Sequence, residues 1–228
     1  MQIINQSSRP LRGARWRLRR GLRWINPSHL EGLCCIRLLD ELPEPSNRSD
    51  ESYKDAWTQG HHIYGLYSAS DGHTVSCITL NIGDIYRLVP FAYRWTTVPT
   101  LLITHSLAHE VAHHLAATRG YVLKRGENRR HCEYEEVAAN RYAFHVVKEM
   151  EKRWYYRVGR WMINDLANHH HALAVLDWRE KNYEKSAYHW YRAWCLKPEL
   201  DEAAYWYLRA KQMRTPEGGQ RPPGNTEA

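Results

Sequence analysis

The chain has 228 residues, of which 43% are hydrophobic and 25% charged. This is enough for one sizeable domain with an appendage, and too apolar for wholesale disorder. No run of about 18 apolar residues occurs, which excludes a membrane-spanning helix. The net charge of +7 comes from one end, because residues 1–30 hold seven arginines and no acid while residues 31–228 balance.

The basic stretch reads as an amphipathic helix. Leu11, Ala14, Leu18, Leu22 and Ile25 recur at helical spacing. Arg12, Arg15, Arg19 and Arg23 form a neighbouring stripe, with Trp16 and Trp24 interleaved. Two readings stand side by side: a first helix packed on the body with its arginines in water, or an arm that meets phosphates of nucleic acid or an anionic membrane. An organelle presequence has the same look, whereas a secretory signal lacks its apolar core here.

Leu33–Leu39 predicts a strand, and the proline- and acid-rich stretch 40–60 predicts a loop. Ile63–Tyr67 and Val75–Ile82 read as two strands of a hairpin turned at Ser70-Asp71-Gly72. Pro90 and Pro99 bracket a further loop, with short structure possible on either side of Pro90. From Thr100 to near Gly120 the apolar spacing predicts a buried helix, and a second runs from about His131 to Trp154. Gly159 is a candidate joint, after which helices broken at Asn182 and Pro198 fill residues 160–213. The tail rich in Pro and Gly from Thr215 onward is expected to be disordered. Five cysteines without a C-x-x-C pair argue against zinc ribbons and redox dithiols, and they fit a reducing, cytoplasmic setting.

The chemistry concentrates in His109-Glu110-Val111-Ala112-His113. Residues four apart on a helix share a face, so His109 and His113 can aim at one zinc ion. Glu110 sits at the edge of that face, within reach of a water that the metal acidifies. The motif lies in an apolar helix, where two imidazoles and a carboxylate are costly to bury without such a purpose. Ala116 and Arg119 stand where the metzincin extension needs glycine and histidine, so the third ligand is sought on the following helix. Glu136 is the leading candidate, with Ala139 and Asn140 allowing close helix approach; Glu133 and Glu135 are rivals.

Together with Glu136-x-x-Ala139-Asn140-x-Tyr142-Ala143, the motif resembles the gluzincin pattern, similar to compact ImmA/IrrE-type and HtpX-like peptidases. The resemblance spans residues 60–150. It implies Zn2+ held by His109, His113 and Glu136, Glu110 as catalytic base, and Asn140 supporting the site by a hydrogen bond. It also implies a strand laid over the metal helix as an edge for extended substrate. His105, Tyr142 and His145 are further candidates for support or for stabilising an oxyanion, as are Tyr121 and Tyr134. His114 points aside, and the run His169-His170-His171 reads as a solvated helix face.

Residues 167–200 resemble a single tetratricopeptide unit through Leu173, Ala174, Tyr183, Ser186, Trp190, Ala193 and Pro198. The aromatic side chains there serve either as core or as a groove for a protein partner.

The expected architecture is therefore α+β. An Arg-rich arm (1–30) precedes a compact zincin-like domain (31–158), in which a short sheet packs on the metal-binding helices. A helical tetratricopeptide-like extension (159–213) and a tail (214–228) follow. The expected function is zinc-dependent peptide-bond hydrolysis acting on a protein or peptide substrate. The alternative is a latent or structural zinc protein whose aromatic helices bind a partner.

Overall fold

The computed structural model describes residues 1–6, 13–41, 65–68, 76–118, 129–197 and 201–214, with the backbone alone for 129–136, 201, 204 and 214. The expected loop beyond Glu41, the Ser70–Gly72 turn and the tail lie outside these residues. The chain is α+β, mostly helical with one small mixed sheet. It divides into two compact units, Met1–Arg160 and Trp161–Ala228.

In the first unit the sheet holds β1 (Gln2–Asn5), β2 (Cys35–Leu39), β3 (Gly65–Ser68) and β4 (Cys77–Asn81) in the order β1-β2-β4-β3. β2 and β4 are central and parallel, with Ile36 opposite Ile78 and Leu38 opposite Leu80, all four fully buried. β1 adds in parallel to β2, and β3 adds antiparallel to β4. The expected hairpin strands are thus adjacent and antiparallel. β1 is a strand that sequence reading did not anticipate: its four residues carry two isoleucines and stand just before the basic stretch. Parallel β1 and β2 require a crossover, and it is supplied by helix α1 (Ala14–Leu22).

β4 runs directly into α2 (Ile82–Leu88), where Asn81 caps the helix by accepting a hydrogen bond from the Asp84 amide at 3.1 Å. After a 3-10 turn at Phe91–Tyr93, α3 spans Val98–Thr118. Pro99 falls in its first turn, where a missing N–H leaves no helix bond unmade. Helix α4 (Arg129–Met150) packs along α3 through Ala139 and Ala143, both fully buried. It stops at Met150, and a short turn leads to α5 (Trp154–Arg179). Gly159 lies inside α5, next to the residue at which the first unit ends: a Cβ there would stand 2.2 Å from Thr97 Oγ1, so the glycine lets the two segments touch.

Helix α1 packs against α3. Ala14, Leu18 and Ile25 are buried, while Arg15, Arg19 and Arg23 face solvent. Arg17 turns inward. Its Nη1 donates to Thr96 O at 2.8 Å and Thr100 Oγ1 at 3.0 Å, and its Nη2 to Arg94 O at 2.7 Å. A buried guanidinium is tolerable only with such partners. Its charge also opposes the rise in the Tyr86 pKa that burial causes.

Cys35 and Cys77 face each other across β2 and β4 and are joined as a disulfide. Their separation of 42 residues gave no local sign of it. Cys195 is buried and Cys34 exposed, and neither is joined in a disulfide; Cys132 lies outside the described side chains.

The second unit contains the later turns of α5 with α6 (Tyr183–Leu196) and α7 (Asp201–Arg214). Asn182 does break the chain here, and it caps α6 at the Lys185 amide. Ala174, Ala187, Ala193, Ala203 and Ala210 surround the buried Trp190 and Tyr207, with Trp178, Trp194 and Trp206 packed against them. Ser186 is fully buried, and its hydroxyl donates to Ala174 O at 2.9 Å. Small residues in this pattern bring helices close enough for the large rings to fill the remaining space.

Replacing Arg17 by methionine leaves the Arg94 and Thr96 carbonyls without their donor. It should lower stability by about 2–3 kcal/mol, read as a reduced urea midpoint at unchanged m-value.

Candidate metal centre

Helix α3 is buried on nearly every side. Leu101, Ile103, Leu107, Ala108 and Val111 are at most 1% exposed, and they carry the polar residues into an apolar setting. One face holds His109 and His113, whose Nε2 atoms lie 3.1 Å apart. That is the span of two nitrogens each about 2.0–2.1 Å from a shared zinc at an angle near 100°. The same distance suits one ring donating an N–H to the other, so the spacing fits a metal without requiring it.

The tautomer is set from α4. His109 Nδ1 and Asn140 Oδ1 are 3.0 Å apart, and an amide oxygen can only accept. Nδ1 therefore carries the proton, and the His109 Nε2 lone pair points to His113. This is the orientation that a histidine metal ligand needs, and outer partners of this kind normally provide it. Asn140 thus has the contact the sequence resemblance implied.

Glu110 is only 6% exposed and lies beneath β3. A Cβ added at Gly65 would come within 2.5 Å of Glu110 Cγ and 2.7 Å of its Oε1. Glycine is needed at 65 because the strand backbone passes directly over the carboxylate. Sequence reading missed this role, since the contact is between residues 45 positions apart.

His114, 1% exposed, is turned away from the His109 face, as expected. Its Nε2 donates to Glu31 O at 2.8 Å, which leaves Nδ1 to accept from the Tyr67 hydroxyl at 3.2 Å. It therefore fastens both the loop before β2 and strand β3 to α3. No local spacing could have shown this.

The remaining candidates separate. His105, one turn before His109, is held neutral: burial, then the neighbouring charges of His109 and Arg160, lower its pKa to about 3. Tyr142 is turned about 160° around α4 from Asn140. Its hydroxyl lies 2.7 Å from His29 Nδ1, and burial raises its pKa. His145 is exposed on α4 and has ring contact with Phe144. The side chains of Glu133, Glu135 and Glu136 lie outside the described residues, as do Tyr121 and Tyr134. Among the described residues no three His, Cys, Asp or Glu side chains form a metal-holding group.

A second histidine cluster belongs to the other unit. The Nδ1 atoms of His170 and His189 are 2.9 Å apart, and His171 packs edge-on to Trp190 with ring centroids 4.8 Å apart. Two of the three histidines expected on a solvated face are therefore half-buried. Burial, then Arg192, His189 and His169, lowers the His170 pKa to about 4, and burial lowers that of His189 as well.

No family model, curated protein or solved structure matches this chain.

Three outcomes are expected from this geometry. Were His109 and His113 to hold zinc, Asn140→Ala should weaken that binding about 10–100-fold, measured by competition with a chromophoric chelator. Gly65→Ala should displace Glu110 and cost about 1–3 kcal/mol, measured by chemical denaturation. In the histidine pair the native state resists protonation while the unfolded imidazole accepts it near pH 6.5. Stability should accordingly be full above that pH and fall as the pH drops toward 4. A His170→Gln variant should show a shallower decline.

Proposed function

We propose that this chain is a zinc-dependent metallopeptidase of the gluzincin kind, with a zincin-like arrangement in its first unit. The observation that carries the reading is the convergence of the His109 and His113 Nε2 atoms at 3.1 Å, with His109 oriented by Asn140. His109 and His113 would hold the ion, and Glu136, one turn before Asn140 on α4, is the proposed third ligand. When bound, zinc supplies Lewis-acid polarisation of the scissile carbonyl and acidifies water.

The rest of the chemistry falls to the protein. Glu110 takes a proton from the attacking water at a carboxylate oxygen and passes it to the leaving amine. Burial beneath Gly65 keeps competing water from that carboxylate. β3 ends the sheet, and among the described residues nothing pairs with its outer edge. An extended peptide can add there as a further strand, which sets its backbone over α3. Protein or peptide is thus the proposed substrate class.

The place of action is open to the same reading. Among the described residues no helix is long and apolar enough to cross a membrane. The cysteine spacing suggested a cytoplasmic setting, whereas the Cys35–Cys77 bond is of the kind that persists where the medium is oxidising.

Purified protein should contain about one zinc, and a His113→Ala variant should lose it. Glu110→Gln should keep the metal while hydrolysis of an unfolded protein substrate falls about 10²–10⁴-fold. Zinc bound at this site by protein that hydrolyses nothing would establish the latent, partner-binding alternative instead.

A further inference from the structure

Helix α1, the turn before α3 and the start of α5 are fastened together at one place on the first unit. Arg17 donates to the carbonyls of Arg94 and Thr96, which flank Trp95 on both sides. Thr97 Oγ1 donates to Tyr155 O at 3.0 Å, next to Trp154. The Arg20 guanidinium lies 4.7 Å from the Trp16 ring centroid and 5.7 Å from that of Tyr155. Large apolar side chains on these same segments keep much of their surface exposed. Trp16 is 53% exposed, Phe91 and Trp95 72%, and Trp154 68%. Soluble surfaces seldom leave several such rings standing together.

The charge beside them is mainly positive, and Glu151, three residues before Trp154, is held by Lys148 and Arg160. Arg15, Arg19 and Arg23 lie on the exposed face of α1, and Arg153 and Arg157 flank Trp154. None of these is joined to a carboxylate among the described residues. Indole and phenyl rings beside exposed guanidinium groups match the two layers of an anionic bilayer surface, the acyl boundary and the phosphates. Single-stranded nucleic acid also attracts arginine and aromatic rings. A stacking platform, however, lies with one ring face packed on the protein, whereas Phe91, Trp95 and Trp154, each about 70% exposed, stand out from it.

We propose that this patch docks the protein on anionic membrane surfaces. Trp16, Phe91, Trp95 and Trp154 enter the interfacial layer, and Arg15 and Arg19 meet lipid phosphates. The proposal is independent of the metallopeptidase reading, because none of these residues belongs to the candidate metal centre.

The test is flotation of the full-length protein with phosphatidylcholine vesicles, with and without phosphatidylglycerol, beside fluorescence titration with single-stranded polyuridylic acid. Binding should require phosphatidylglycerol and weaken with salt. Arg15→Gln combined with Arg19→Gln should lower vesicle affinity about thirtyfold. Trp95→Ser combined with Trp154→Ser should reduce quenching of the protein's fluorescence by brominated lipid. All four side chains are exposed, so circular dichroism of both variants should match the parent. Failure to float with phosphatidylglycerol vesicles, an affinity unchanged by both variant pairs, or binding to the polynucleotide alone would each overturn the proposal.

Discussion

Desolvation of α3 is the constraint around which the first unit is organised. A helix buried on nearly every side carries two imidazoles and a carboxylate, and each must find a partner or remain a cost. The surrounding elements are fitted to these groups. α4 presents an amide oxygen to His109. β3 passes over Glu110 with no side chain at Gly65. His114, itself enclosed, returns two hydrogen bonds that hold β3 and the loop before β2 in place. β3 and α4 are thus tied to α3 by polar contacts as well as by apolar packing.

What could be read from the residues alone depended on how local the signal is. The spacing of His109 and His113 needs only helical geometry. The α3 and α4 helices were found because apolar periodicity persists over many residues, with their ends displaced by a few positions. Asn140 came from resemblance to a motif rather than from periodicity, and it does touch His109. Tyr142 belongs to the same motif but meets His29 instead, because two positions along a helix reverse a side chain's direction. β1 escaped notice because four residues carry little pattern. The Cys35–Cys77 pairing depends on strand register, which no count of cysteines contains.

Charge was the least legible property. Seven arginines near one end read as one basic stretch, in water or against phosphates, yet the described ones divide by position on the helix. Arg17 is enclosed among carbonyls, and Arg15 and Arg19 stand in water. The histidine run in the second unit divides in the same way. His169 is exposed, His170 meets His189, and His171 meets Trp190. In both places composition indicates how polar a segment is, and helical phase decides which member is buried.

The covalent link between β2 and β4 acts most strongly where the native contacts are gone. It closes a ring of backbone that includes β3, the strand supplying Gly65 and Tyr67 to the helix below. In a denatured chain that ring has far fewer shapes available than an open segment of the same length. For a separation of 42 residues the chain-entropy picture puts the difference at about 4 kcal/mol. With the bond intact, the two ends of the ring stay neighbours even where no strand is paired.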